Sequence, residues 1–81
     1  MGWNSLYSLK SDLFKDINEK DYVYFVHSFY APISEYTIAT CNYSGFEFSA
    51  AIKKNNFYAT QFHPEKSSGV GAQILKNFIE L

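Results

Sequence analysis

The sequence predicts an α/β protein made of a β-rich segment followed by one terminal helix. The first indication is an uninterrupted run of β-branched and aromatic residues over 22–27, which is typical of a strand covered on both faces of a sheet. The second is an apolar stripe at helical spacing over 70–79. The chain has 81 residues and therefore forms one domain at most, because chains of this length bury only about 60% of the surface that they expose when unfolded.

The first 20 residues carry a weak helical signal. Ser11 is suited to cap a short helix. Leu13, Phe14 and Ile17 would share one face of that helix, and Asn18 could end it. We expect one short helix in this part of the chain.

Four strands are predicted from residue 21 onward. They comprise residues 22–27, 36–43, 46–53 and 57–62. Residues 29–34 contain Pro32 and are expected to form a loop, and Gly45 marks the end of the second strand. Residues 54–56 can form a tight turn, so the third and fourth strands are predicted to pair as a hairpin.

The chain closes with a predicted amphipathic helix that begins after a cap at Ser67 or Ser68. Its apolar stripe consists of Val70, Ile74, Leu75, Phe78 and Ile79, and its polar side consists of Gln73, Lys76, Asn77 and Glu80. Gly69 and Gly71 are expected to weaken its first turn by up to about 1 kcal/mol each relative to alanine.

Charge and composition argue against several classes of function. The formal net charge is −1, the lysines are scattered and there is no arginine, so we do not expect nucleic-acid binding. No apolar stretch approaches the roughly 20 residues that span a bilayer, and we expect no membrane partner. Two histidines and one cysteine are too few for a credible zinc site, and no phosphate-binding glycine loop occurs. We therefore expect neither a metal nor a nucleotide cofactor.

The single cysteine, Cys41, cannot form an internal disulfide, which fits a reducing cytoplasm. Aromatic residues make up 20% of the chain. So many rings in a short chain predict either a very aromatic core or faces that are built to be covered.

The stretch that can carry chemistry is Gln61-Phe62-His63-Pro64-Glu65, which lies between a predicted strand and the terminal helix. This is the edge at which α/β sheets place their sites. In an extended segment the side chains at i and i+2 point the same way, so His63 and Glu65 can converge, and Pro64 favours an extended His63. The carboxylate would then hold the tautomer of a histidine that takes a proton from a nucleophile. Taken alone, the motif equally fits a surface loop with an incidental ion pair.

Residues 61–65 resemble the signature that class I glutamine amidotransferases carry at the end of their domain. Within that family, the glutaminase subunits of imidazole glycerol phosphate synthases are similar to further stretches, in order along the chain. These stretches are residues 1–4, 24–28, 48–51, 63–67 and 74–78. The resemblance covers the whole chain and implies that residues 1–81 are the C-terminal segment of such a domain.

The resemblance also implies a function. These subunits hydrolyse glutamine and pass the ammonia to a cyclase subunit in histidine biosynthesis, as one half of a heterodimer. His63 would be the general base and Glu65 the residue that orients it. Trp3, Tyr24 and Lys66 match positions at the contact with the cyclase. Core packing is the alternative for Trp3 and Tyr24, and a solvated charge is the alternative for Lys66.

His27 lies near the site in such proteins, and we interpret it as structural. The departure from the family pattern is the nucleophile, which the family places in an upstream Gly-x-Cys-x-Gly elbow. Cys41 instead stands inside a predicted strand, where a cysteine is usually a small buried hydrophobe. We therefore expect the 81 residues alone to have no glutaminase activity.

Two other interpretations remain open at the level of the sequence. One keeps the glutaminase fold but assigns the ammonia to a surface-sugar amidotransferase. The other is a non-catalytic docking module encoded by a truncated gene.

Overall fold

The computed structural model describes residues 2–25, 31–43 and 45–81. Within these ranges the chain forms five strands, one α-helix and two single-turn 3-10 helices. The strands are β1 (Gly2–Ser5), β2 (Tyr22–Phe25), β3 (Thr37–Tyr43), β4 (Phe46–Lys54) and β5 (Phe57–Thr60). The helix α1 spans Ser68–Ile79, and the 3-10 turns span Asp12–Phe14 and Pro64–Lys66. The predicted class, a β-rich segment closed by a terminal helix, is confirmed.

The described strands pair in two antiparallel sets, β1 with β2 and β3-β4-β5 in that order. Two isolated antiparallel bridges add to this pairing: Tyr7 pairs with Thr40 of β3, and Ala31 pairs with Ser49 of β4. The predicted hairpin of the third and fourth strands is confirmed as β4 and β5. Its turn includes Asn55 at φ 55°, a left-handed conformation that asparagine tolerates better than most residues.

Strand β1 was not predicted, because its four residues carry no pattern of their own. It forms by pairing with β2, with Trp3 opposite Tyr24. Strand β2 buries Val23 and Phe25 and leaves Tyr22 exposed. Within the described residues it is thus covered on one face, and the expectation of cover on both faces is wrong there. The rest of the predicted strand, including His27, lies outside the described residues.

The helix predicted near Ser11 is only a single 3-10 turn. The Ser11 side chain accepts a hydrogen bond from the Leu13 N–H, as expected of a cap, and Leu13 and Phe14 are buried. The 3-10 turn does not extend into a longer helix, because Asp16 adopts a left-handed φ of 65°, which ends the helical conformation.

Three phenylalanines form the centre of the core. The ring of Phe25 meets that of Phe48 at 5.7 Å and that of Phe62 at 5.9 Å, both edge to face. Phe14 is also buried in the core, whereas Phe57 lies outside it and keeps 79% of its surface exposed. The high aromatic content therefore divides between a compact ring cluster and exposed faces.

Helix α1 buries only part of the predicted apolar face, namely Ile74 with Val70 packed beside it. Its buried residues are Gly71, Ile74 and Asn77, whereas Leu75, Phe78 and Ile79 are exposed. Asn77 was predicted on the polar side, but its side-chain amide donates to the carbonyls of Leu13 (2.9 Å) and Lys15 (2.7 Å). These two bonds set the rotation of the helix and leave part of the apolar stripe uncovered.

Gly71 is the point at which α1 touches the Pro64–Lys66 turn. A Cβ atom built at Gly71 would clash with the carbonyl oxygen of Pro64, which is a backbone atom that cannot rotate away. The glycine that was predicted only to weaken the helix is therefore required for this close approach.

Among residues 2–25, 31–43 and 45–81, none of the helices has the length and apolar character needed to span a membrane.

Replacing Gly71 with alanine is expected to lower the free energy of unfolding by about 1–3 kcal/mol, because the added methyl group overpacks the contact with Pro64. The matched control is Gly69→Ala, because a Cβ at Gly69 meets nothing within 4 Å. This control is expected to stabilise the protein by up to about 1 kcal/mol through helix propensity. Urea unfolding of both variants measures the difference, and equal effects of the two substitutions would contradict the contact.

Candidate functional site

The segment that follows β5 is anchored in the core just before the candidate site residues. The N–H of Gln61 donates to the carbonyl of Ala50 at 2.8 Å, which continues the pairing with β4 beyond Thr60. Phe62 is buried and packs its ring against Phe25. His63 follows directly, so its backbone is anchored by the burial of its neighbour.

The backbone of His63 is also attached to β2. Its N–H donates to the carbonyl of Tyr24 at 2.8 Å. The N–H of the same Tyr24 donates to the hydroxyl of Ser67 at 2.9 Å. Both backbone polar groups of Tyr24 therefore bind the His63–Ser67 segment.

The side chains of His63 and Glu65 meet, as the sequence predicted. The distance between His63 Nδ1 and Glu65 Oε2 is 3.1 Å. The backbone conformation that brings them together differs from the predicted extended segment. His63 is extended at φ −101° and ψ 100°, but Pro64 starts a 3-10 turn that brings Glu65 back toward the His63 ring. An ionised carboxylate only accepts hydrogen bonds, so the Nδ1 atom carries the proton of this contact.

The charge state of Glu65 supports that assignment. Its own backbone N–H and then the His63 ring hold the pKa of Glu65 below its ordinary value, with Lys66 as a further nearby positive charge. The side chain of Glu65 is 61% exposed and that of His63 is 26% exposed. The pair therefore joins a buried ring edge to a carboxylate that faces solvent.

The three residues assigned to a partner contact surround the same turn. The rings of Trp3 and Tyr24 pack edge to face with centroids 5.5 Å apart, and Trp3 is 51% exposed. Lys66 is exposed at the end of the 3-10 turn, next to Glu65. Tyr24 is half-buried and binds His63 through its backbone, so the Trp3–Tyr24 pair and the His63–Glu65 pair are neighbours.

Cys41 has the properties of a structural cysteine. It is fully buried in β3, and its thiol donates to the carbonyl of Ser5 at 2.9 Å. Burial raises the pKa of the Cys41 thiol to about 12. Only thiolates are effective nucleophiles, so this thiol is unsuited to attack an amide near neutral pH.

Ser67 is the residue whose role the sequence did not reveal. It was predicted as a possible cap of α1, yet its side chain makes no capping bond and instead binds His63 and Tyr24. The sequence signal for this role was the position of Ser67 four residues after His63. This spacing alone does not identify the hydrogen-bond partners of Ser67. Among the residues that the structure describes, no group of three or more potential metal ligands comes together.

Comparison with known proteins finds relatives that match the chain over its whole length. The chain is 59% identical over 81 residues to the imidazole glycerol phosphate synthase subunit HisH of Bacteroides fragilis, covering 100% of the chain and 41% of that relative. It is 61% identical over 82 residues to the subunit of the same name from Colwellia psychrerythraea, covering 36% of that relative. The corresponding subunit of Salmonella typhimurium is 51% identical over 82 residues, and 41% of it is covered.

The chain thus spans about two-fifths of the length of the curated relatives that it matches. Identity at this level extends over the whole chain, and the model of one family, described as glutamine amidotransferase class-I, matches residues 1–81. The resemblance stated on the sequence motifs is therefore confirmed, and the chain belongs to the class-I glutamine amidotransferase family.

Proposed function

We propose that this chain supplies the general base and its orienting carboxylate to a glutaminase that provides ammonia for imidazole glycerol phosphate synthesis. The observation that carries the proposal is the 3.1 Å contact between His63 Nδ1 and Glu65 Oε2 in a chain of this family. The relatives at 51–61% identity carry the name of that synthase subunit. They favour histidine biosynthesis in the cytoplasm over a surface-sugar pathway.

The chemistry follows from the orientation of the His63 ring. Glu65 holds the proton on Nδ1, so the opposite atom, Nε2, takes the proton from a cysteine thiol. The resulting thiolate attacks the side-chain amide of glutamine, ammonia leaves with a proton returned by the imidazolium, and water hydrolyses the thioester to glutamate. Cys41 is buried with a raised pKa. The nucleophile in this proposal therefore comes from outside these 81 residues.

The partner in the proposal is a cyclase subunit that receives the ammonia. The exposed Trp3 and the half-buried Tyr24 form an aromatic pair, and aromatic residues are enriched in protein interfaces. Lys66 adds an exposed positive charge in the turn that is bonded to Tyr24. Docking at this surface would bring the partner next to the turn that carries His63.

The catalytic assignment can be tested in a chimera in which these 81 residues replace the matching segment of the Bacteroides fragilis subunit. With its cyclase subunit present, the chimera is expected to release glutamate from glutamine. His63→Ala should lower kcat by about 10²–10⁴-fold, the usual contribution of general acid–base catalysis. Glu65→Gln should lower kcat by roughly 10-fold or more, because the tautomer is no longer held.

Glu47→Gln is the matched control, because Glu47 is an exposed carboxylate on β4; the activity of this variant should equal that of the unmodified chimera. The 81-residue chain by itself should release no glutamate. An active His63→Ala chimera, or glutamate release by the chain alone, would refute the assignment.

Partner binding can be measured separately on the same chimera by titration with the cyclase subunit. Trp3→Ala and Tyr24→Ala are each expected to raise Kd by about 10-fold or more, the effect of truncating an aromatic anchor. Lys66→Ala should act less strongly and mainly at low salt. Tyr43→Ala is the control, because Tyr43 is a comparably exposed ring on β3. Equal weakening by Trp3→Ala and Tyr43→Ala would exclude a specific contact at Trp3.

A further inference from the structure

Ser67 is a buried serine at a helix start whose hydroxyl does not serve the helix. The residue is completely buried and occupies the N-cap position of α1. A serine there ordinarily accepts a hydrogen bond from an N–H of the first helical turn. In this chain the side chain makes no such bond.

The hydroxyl of Ser67 instead joins two separate parts of the backbone. It donates to the carbonyl of His63 at 2.6 Å and accepts from the N–H of Tyr24 at 2.9 Å. The His63 N–H in turn donates to the Tyr24 carbonyl at 2.8 Å, so Ser67, His63 and Tyr24 form a closed set of hydrogen bonds. The main chain of His63 is thus bound on both its donor and its acceptor side.

Two backbone hydrogen bonds fix the position of Ser67 itself. Its carbonyl accepts from the N–H of Gly71 at 3.0 Å, and its own N–H donates to the Pro64 carbonyl at 3.1 Å. Glycine at 71 allows α1 to approach this turn closely. The Ser67 hydroxyl is therefore held between β2 and the backbone of His63.

The contact between His63 and Glu65 lies at the protein surface. The Glu65 carboxylate is 61% exposed, and ion pairs at exposed positions contribute little stability by themselves. The backbone of the turn therefore contributes to the relative placement of the two side chains. Removing the Ser67 hydroxyl would leave the Tyr24 N–H, in this part-buried bond, without its acceptor, which favours movement of the turn away from β2.

We propose that Ser67 is a positioning residue that holds the His63 ring in the orientation in which Nδ1 faces Glu65. The inference rests on the proposed function of His63 as general base. Ser67 touches neither reacting group and acts through the backbone of His63 and Tyr24.

The first test is the tautomer of His63, read from the ¹⁵N chemical shifts of the ring nitrogens in the purified protein. In the unmodified protein, neutral His63 is expected to carry its proton on Nδ1. Ser67→Ala should give a mixture of the two tautomers, and Ser67→Thr, which keeps the hydroxyl, should restore the Nδ1 form. Ser68→Ala is the matched control, because Ser68 is the adjacent serine and is exposed; it should leave the ring signals unchanged.

The second test is kinetic and uses the chimera with the Bacteroides fragilis subunit. Ser67→Ala should lower kcat by about 10-fold with KM within about twofold, because a misplaced base affects the proton transfer more than substrate binding. Ser67→Thr should recover most of kcat, and Ser68→Ala should match the unmodified chimera.

An unchanged His63 tautomer and unchanged kcat in Ser67→Ala would overturn the inference. If the amide spectrum shows that Ser67→Ala is unfolded, Ser67→Thr and Ser67→Cys decide the matter, because both fill the site but only threonine keeps the hydroxyl. Identical ring signals in those two variants would then contradict the inference. A His63→Ala chimera that retains activity would refute the proposed function alone, since the tautomer measurement does not depend on catalysis.

Discussion

Two hydrogen bonds of the Tyr24 backbone, one with the His63 N–H and one with the Ser67 hydroxyl, attach β2 to the turn that carries His63 and Glu65. The Tyr24 carbonyl accepts from His63, and the Tyr24 N–H donates to Ser67. Tyr24 and His63 directly adjoin Phe25 and Phe62, whose buried rings pack against each other. Hydrogen bonds in such surroundings are costly to leave unmade, so they fix the turn relative to the strand.

The same attachment explains why the helix packs in an unpredicted way. Helix α1 approaches the turn at Gly71, where no side chain is tolerated, and is held at its other end by the Asn77 amide. These polar and steric contacts outweigh the burial of the remaining apolar stripe. Leu75, Phe78 and Ile79 stay exposed as a result.

Local sequence features predicted the parts of this structure that local chemistry determines. The β4–β5 hairpin follows from its turn residues, and the approach of His63 to Glu65 follows from their spacing around Pro64. What the sequence could not supply were partners distant along the chain. Tyr24 and Ser67 are 43 residues apart, and Asn77 binds Leu13 across 64 residues. Strand β1 likewise exists only through its pairing with β2.

The catalytic assignment depends on a turn that is held rigidly, and amide hydrogen exchange measures that rigidity directly. Amides that open only when the protein unfolds exchange slowly, whereas amides in loosely held turns exchange quickly. The account predicts that the N–H groups of Tyr24 and His63 exchange as slowly as that of Phe48 in the core of β4. Exchange as fast as that in the exposed 54–56 turn would show that the His63–Ser67 turn is not fixed to β2, and would contradict the account.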